Sequence, residues 1–302
     1  MNRTVWYPGH MARGGRKLGE LAEKLDLFIE VRDARAPFST SSPLLPSLSR
    51  LRPTLLVLSK KDLADPEGTR AWMAEFAREK ESKKTVWAFD LRKDSLDSLR
   101  RELSRLRPPH RELRLGVVGI PNVGKSMFLN RLVGKARARV GGIPGITREV
   151  GWYRGSGFLT VDSPGILDPH SEPGVHRVLS WLGCAKAEVV GGYEPAAVGL
   201  IAFLRTRGLW DTVADAWGLA KDDARGDAPA EIVLEDIGRR LGCLVAGGGV
   251  NMELAGRRLV DSFASGKLPP LTLELPRAGG PGPVMGVVEW GRSCRPLGGD
   301  ER

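Results

Sequence analysis

Apolar positions fall along this chain in two rhythms. Four short runs, DLFIEV (26–31), TLLVL (54–58), LGVVG (115–119) and GFLTVD (157–162), are almost uninterrupted by polar residues. Such runs suit strands buried on both faces of a mostly parallel sheet. A further strand is expected over 85–88. Between the runs, segments near 11–24, 67–82 and 94–106 space Leu, Phe, Trp and Met as helices do. Strands alternating with helices predict a doubly wound α/β domain. From about 173 the rhythm changes. Helical segments follow near 173–185, 195–207, 210–220, 230–242 and 251–266, with no strand expected among them. Beyond Leu268 the density of proline and glycine predicts an extended or disordered tail. The expected organisation is an α/β domain over 1–172, a small α-helical domain over 173–268 and a tail over 269–302. The AGGGVN run (246–251) lacks G-x-G-x-x-G spacing and reads as a turn between helices.

Composition narrows the class. A chain of 302 residues with 41% hydrophobic and 27% charged positions is that of a globular protein. Cys184, Cys243 and Cys294 lie far apart with no C-x-x-C pair, which argues against a zinc ribbon or a disulfide framework. No apolar run has membrane-spanning length, and MNRTVWYPGHM has neither a secretory nor a transit pattern. A cytoplasmic protein without membrane contact is expected. The net charge of +10 points to a polyanionic partner. Its cations concentrate in Arg13/Arg16/Lys17, in the 100–114 stretch and in KARAR (135–139). Charge alone fits a solvated surface equally well.

The chemistry starts at GIPNVGKS (119–126), which fits G-x-x-x-x-G-K-[ST] between a strand and a helix expected over 124–133. In that pattern backbone N–H groups of the loop, here Asn122, Val123, Gly124, Lys125, Ser126 and Met127, cradle phosphates at a helix N-terminus. Lys125 should reach the β- and γ-phosphates, and the Ser126 hydroxyl should bind Mg²⁺. VDSPG (161–165) fits D-x-x-G: Asp162 would hold Mg²⁺ through water, and the Gly165 N–H would sense the γ-phosphate. Thr147, in GGIPGITRE (141–149), is the candidate for a switch hydroxyl on the same ion. No N-K-x-D element follows Gly165. Instead SKKD (59–62) stands upstream, directly after TLLVL. Asp62 could accept bonds from guanine N1 and N2, and the Lys60 stem could lie along the base. Ser59 replaces the usual asparagine, and Lys61 completes the element. After the 85–88 strand, AFDLRK is a degenerate version of the loop expected over guanine O6, with Asp90 the candidate there.

The order is therefore base-reading, phosphate, first switch, second switch. That is a rotation of the usual order, so the 118 residues before the phosphate loop belong to the same fold. Such permutation is physically cheap because domain termini lie close together at the surface. The old ends would be joined through LRPPHRELR (106–114).

These residues resemble the circularly permuted GTPases, and specifically the ribosome biogenesis GTPase A (RbgA/YlqF) family. WYPGHM (6–11), DARAP (33–37), SKKD, GIPNVGKS, PGIT (144–147), DSPGIL (162–167) and RRLGCLVAGGGVN (239–251) carry the resemblance. It covers the chain to about residue 275. It implies a circularly permuted P-loop GTPase domain followed by a helical domain that contacts rRNA. The implied activity is hydrolysis of GTP to GDP and phosphate, stimulated by the ribosome, during assembly of the large (50S) subunit. Binding to the pre-ribosome in the GTP state, release on hydrolysis and a monomeric chain are expected.

A regulatory GTPase commonly orients its attacking water with a glutamine after the D-x-x-G glycine. Here that residue is Ile166, so hydrolysis by the isolated chain should be slow. Two groups are candidates to compensate. His10, in the aromatic turn WYPGHM, could swing towards the γ-phosphate, and the resemblance points to it as catalytic. Asn122 matches, by resemblance, an asparagine that helps to hold K⁺. Two other readings compete with this one: another kind of P-loop ATPase or kinase, and a nucleotide-gated RNA-binding scaffold with little or no hydrolysis.

Overall fold

Strand β1 (Leu27–Asp33) is buried along all seven residues, the pattern of a central strand covered on both faces. The computed structural model describes residues 18–78, 85–134, 138–140 (backbone only), 152–163, 165–216 and 228–276. Two compact units are present. One comprises the chain up to Pro169 together with the segment from Leu271, and the other spans His170–Pro270.

In the first unit β1 is followed by α1 (Leu45–Leu51), β2 (Thr54–Ser59), α2 (Pro66–Arg78), β3 (Val86–Ala88), α3 (Asp97–Arg105) and β4 (Leu113–Val118). Next come α4 (Lys125–Val133), β5 (Ala138–Val140), β6 (Trp152–Gly155) and β7 (Phe158–Asp162). Among the described residues these strands form one seven-stranded sheet in the order β3-β2-β1-β4-β7-β6-β5. From β3 to β7 neighbouring strands are parallel; β6 and β5 add an antiparallel edge.

The four long apolar runs are strands at the expected places, within a residue or two at each end. The edge strands β5 and β6 and the short helix α1 were not foreseen. Each is three to seven residues long, too short for hydrophobic periodicity to register. The β6–β7 hairpin turns at Ser156 and Gly157, both with positive φ (50° and 79°). That is the twist a two-residue hairpin loop requires. Around the sheet, Leu18, Leu21 and Leu25 pack with Phe28, Val118, Trp152 and Val161. Gly116 lets the Phe28 ring come close to β4, since a Cβ there would approach Phe28 Cδ1 to 2.6 Å.

The second unit contains α5 (Pro173–Trp181), α6 (Tyr193–Thr206), α7 (Trp210–Ala216), α8 (Ala230–Arg240) and α9 (Met252–Ser265). These five helices match the five apolar segments. Its core includes Trp181, whose indole N–H donates to Ala196 O at 2.8 Å, stacked obliquely on Phe203. Gly238 and Gly256 are close-approach sites: a Cβ on Gly256 would meet Tyr193 O at 2.4 Å. AGGGVN lies between α8 and α9, in a turn closed by an isolated bridge between Leu244 and Val250. The α9 start is capped by Asn251, whose side chain accepts from Leu254 N.

The expected tail departs from its composition at its start. Leu271, Thr272, Leu273 and Glu274 are all buried and belong to the first unit. The Leu-Thr-Leu-Glu-Leu run over 271–275 is hidden between prolines, which dominate a compositional reading. Residues 277–302 lie outside the described residues.

Candidate functional site

Strands β3, β2, β1, β4 and β7 are mutually parallel, so their C-terminal ends deliver five loops to one edge of the sheet. Ligands of open α/β sheets bind at that edge, where the strand order reverses. SKKD, GIPNVGKS and the Asp162 and Gly165 of D-x-x-G follow β2, β4 and β7 and sit at that edge.

After β4 the chain turns through Gly119 and Gly124 into α4. Gly119 (φ 150°) passes so close to β1 that a Cβ would come within 2.5 Å of Val31 O. Asn122 (φ 58°) and Gly124 (φ 96°) adopt left-handed conformations, and Gly124 is the N-cap of α4. This alternation points successive backbone N–H groups into one concavity, an anion site reinforced by the helix N-terminus. The Lys125 side chain is buried and folds back over the loop, its ammonium donating to Ile120 O at 2.6 Å. Val123 is fully buried, so it serves the loop by packing, whereas Met127 is 46% exposed.

Asp162, the last residue of β7, brings its Oδ2 to 3.4 Å from the Ser126 hydroxyl. A hydroxyl and a carboxylate at that separation are hard oxygen donors that suit Mg²⁺. Gly165 packs against the phosphate loop, where a Cβ would lie 2.6 Å from Pro121 N. Glycine is therefore required at this point of D-x-x-G for steric reasons alone. Ile166 is 2% exposed and serves the core.

The SKKD element begins at the last residue of β2. Ser59 is fully buried, and its hydroxyl lies within donating distance of two carbonyls, Arg32 O (2.9 Å) and Val123 O. The shortened side chain thus still ties β2 to the phosphate loop. Lys60 takes a left-handed conformation (φ 54°) and extends its ammonium to Asp33 Oδ2 at 2.9 Å. Asp62 lies half-buried in the 3₁₀ turn Lys61–Leu63. Lys61 pairs with Asp94 at 2.6 Å, with both side chains substantially exposed. Such a pair contributes less than about 1 kcal/mol.

Asp90 is buried and organises its own turn, its carboxylate accepting from Arg92 N at 2.8 Å. Its N–H donates to Asp94 Oδ2 at 2.9 Å. Phe89 O accepts from Lys61 N, which joins this turn to SKKD. His10 and Thr147 lie outside the described residues.

Three residues of this neighbourhood were given no role by the sequence reading: Asp33, Arg35 and Asp94. Asp33 ends β1 and is fully buried. Its carboxylate accepts from Arg35 N (3.0 Å), Arg35 Nε (3.0 Å), Arg35 NH2 (2.8 Å) and Lys60 Nζ. Burial pushes this carboxyl up, but the Arg35 and Lys60 charges and hydrogen bonds outweigh it and hold Asp33 well below the usual carboxylate range. The available signal was an acid at a strand's last position, followed two residues later by arginine, as in DARAP.

Comparison with known proteins agrees with this geometry. Residues 114–190 match the family model described as "50S ribosome-binding GTPase". Ribosome biogenesis GTPase A of Bacillus pumilus is 30% identical over 286 residues, covering 90% of this chain and 99% of the relative. The Thermotoga maritima protein of that name is 30% identical over 274 residues, covering 90% and 94%. Mitochondrial ribosome-associated GTPase 1 of Mus musculus is 33% identical over 302 residues, covering 89% of each chain. In fold, the chain matches the crystal structure of GNP-bound YlqF from T. maritima, with a TM-score of 0.63, 24% identity and coverage of 88% and 99%. With a nucleotide edge of this design and relatives aligned along nearly their whole length, the chain belongs to the ribosome biogenesis GTPase A family of GTPases.

Proposed function

We propose that this chain is an assembly factor for the large (50S) ribosomal subunit that binds pre-ribosomal rRNA in its GTP form and leaves on hydrolysis. One observation carries the reading. The Gly165 segment packs on the phosphate loop, and the chain enters the helical unit at His170, directly after it. A γ-phosphate contact at Gly165 would thereby be coupled to the segment through which the chain enters that unit, as in an order–disorder or hinge switch. The names of the relatives and the +10 charge support a ribosomal, polyanionic partner.

In the reaction, water attacks the γ-phosphorus, the β–γ bridging bond breaks and GDP and phosphate leave. Lys125 and the loop N–H groups bind the β- and γ-phosphate oxygens and hold the leaving group in line. Ser126, Asp162 and Thr147 would hold Mg²⁺, which when bound neutralises charge developing on those oxygens. Lys60, Lys61 and Asp62 bind the guanine, with Ser59 fixing their strand to the phosphate loop and the Asp90 turn flanking them. Ile166 is turned into the core and cannot orient water. His10 is the candidate for that role, and Asn122 would help to hold a K⁺ ion, which when bound would supply positive charge near the breaking bond.

Co-sedimentation with large subunits tests the cycle. Binding should be stronger with a non-hydrolysable GTP analogue than with GDP, and equal affinities would contradict the proposal. His10→Ala should retain nucleotide binding yet lose most subunit-stimulated turnover. Exchange of K⁺ for Na⁺ should slow hydrolysis; an unaltered rate removes Asn122 from this role.

A further inference from the structure

The chain leaves α9 at Ser265 and from Leu271 is part of the nucleotide-binding unit again. Over Leu271–Glu274 it forms a buried strap across the base side of that unit. Leu271 N donates to Leu63 O (3.1 Å), and Thr272 Oγ1 accepts from Asp65 N (3.1 Å). Leu273 N donates to Arg35 O (2.8 Å), and Glu274 O accepts from the Trp72 indole (2.7 Å). The Glu274 carboxylate, fully buried, accepts from Phe38 N (2.9 Å), from Ser39 N (3.2 Å) and from the Ser39 hydroxyl. The strap sits so close to α2 that a Cβ on Gly68 would approach Thr272 Oγ1 to 2.8 Å.

Three pieces are joined by these bonds: the turn that carries Asp62, the start of α2 and the loop that follows Asp33 and Arg35. The Asp62 turn needs outside support. It is a three-residue 3₁₀ turn entered through a left-handed lysine, with no side-chain cap at its start. Turns of that kind have poor internal hydrogen bonding. Recognition of guanine through two hydrogen bonds requires placement within about 0.5 Å.

We propose that the Leu271–Glu274 strap positions the base-reading turn, with Thr272 and Glu274 as positioning residues for guanine discrimination by Asp62. This rests on Asp62 being the guanine acceptor. The strap holds the turn's exit through Leu63 and Asp65. It also holds the backbone of Arg35, whose side chain grips Asp33 and through it Lys60. Guanine selectivity thereby depends on residues that follow the helical unit in sequence, far from the motifs that name the site.

The test compares GDP with IDP, which lacks the exocyclic 2-amino group, on the full chain. Affinities are measured for wild type, Asp62→Ala, Glu274→Ala, Glu274→Gln and Thr272→Val, with folding checked by circular dichroism. Wild type should prefer GDP, and Asp62→Ala should lose that preference. Glu274→Ala should weaken GDP about tenfold and IDP by less, about one hydrogen bond's worth of discrimination. Glu274→Gln should keep the wild-type ratio, because its carbonyl still accepts from Phe38 and Ser39. Thr272→Val should lower the ratio about threefold. A folded Glu274→Ala with an unchanged ratio, or with GDP and IDP weakened in parallel, overturns the proposal. If Glu274→Ala does not fold, an unchanged ratio in Thr272→Val overturns it. A wild type that does not prefer GDP, or an Asp62→Ala that keeps the preference, sinks the base-site reading itself and the strap proposal with it.

Discussion

Replacing Asp33 by asparagine removes one charge at the centre of the base-side network while keeping the side chain's shape. In the wild type one fully buried carboxylate accepts four N–H groups, three from Arg35 and one from Lys60. The amide carbonyl can still serve Arg35 N and Nε on the Oδ1 side. On the other side an NH₂ would face two cationic donors, Arg35 NH2 at 2.8 Å and Lys60 Nζ at 2.9 Å. Two charge-assisted bonds at about 1.5–3 kcal/mol each are lost. The Arg35 guanidinium, 1% exposed, loses the charge of Asp33 beside it. Lys60 is 22% exposed and can turn partly to water, which reduces its share. The expected loss is about 3–5 kcal/mol, in the range for breaking a buried pair from one side. Guanidinium denaturation measures it, with hydrogen exchange of the β1 and β2 amides reporting on the unit concerned. The same change frees the Lys60 stem, so GDP affinity should fall about tenfold in parallel. A loss below about 1 kcal/mol with unchanged GDP affinity would refute the view that Asp33 organises this side of the site.

Other outcomes follow from the same geometry. Burial pushes the Glu274 carboxyl up to about 7 from 4.5, against the opposing hydrogen bonds of Ser39 and Phe38 and the charge of Arg32. Between those pH values the folded state holds a proton that the unfolded chain has lost. Stability should therefore decline from about pH 4.5 to above pH 7, by about 3 kcal/mol; denaturation midpoints should show the decline, and Glu274→Gln should lack it. Ser59→Ala removes the tie between β2 and the phosphate loop and should cost about 1 kcal/mol of stability; it should weaken GDP several-fold in a direct titration. Gly165→Ala forces a Cβ against Pro121 and should impair binding of a GTP analogue more than of GDP, read by competition. Ser126→Ala should abolish the Mg²⁺ dependence of GTP binding, measured with and without chelator.

Much of the site was legible because phosphate chemistry imposes local spacing. Gly119, Gly124, Lys125 and Ser126 must be neighbours in sequence to bend one loop around one anion, and Asp162 and Gly165 obey the same constraint. The permuted order could be read because each such loop follows its own apolar run, whatever the order of the runs. Ser59 was legible as a departure, but not its consequence: only the parallel pairing of β1 with β2 and β4 places its hydroxyl beside both Arg32 O and Val123 O. Asp90 stands in the turn after β3, where its bonds to Asp94 and Arg92 give it a loop-shaping part that its sequence position does not show.

By itself the sequence determined the long buried strands, the longer helices, the nucleotide class and the family, because each rests on patterns among residues close in the chain. The tertiary structure decided what supports them. Asp33 matters because β1 lies beside β2, and Glu274 because the chain returns to the nucleotide unit after the helical one. Burial is the physical reason: a carboxylate becomes structural only when the fold removes its water and supplies donors from distant segments. No local pattern in DARAP or in LTLELP records which donors those will be.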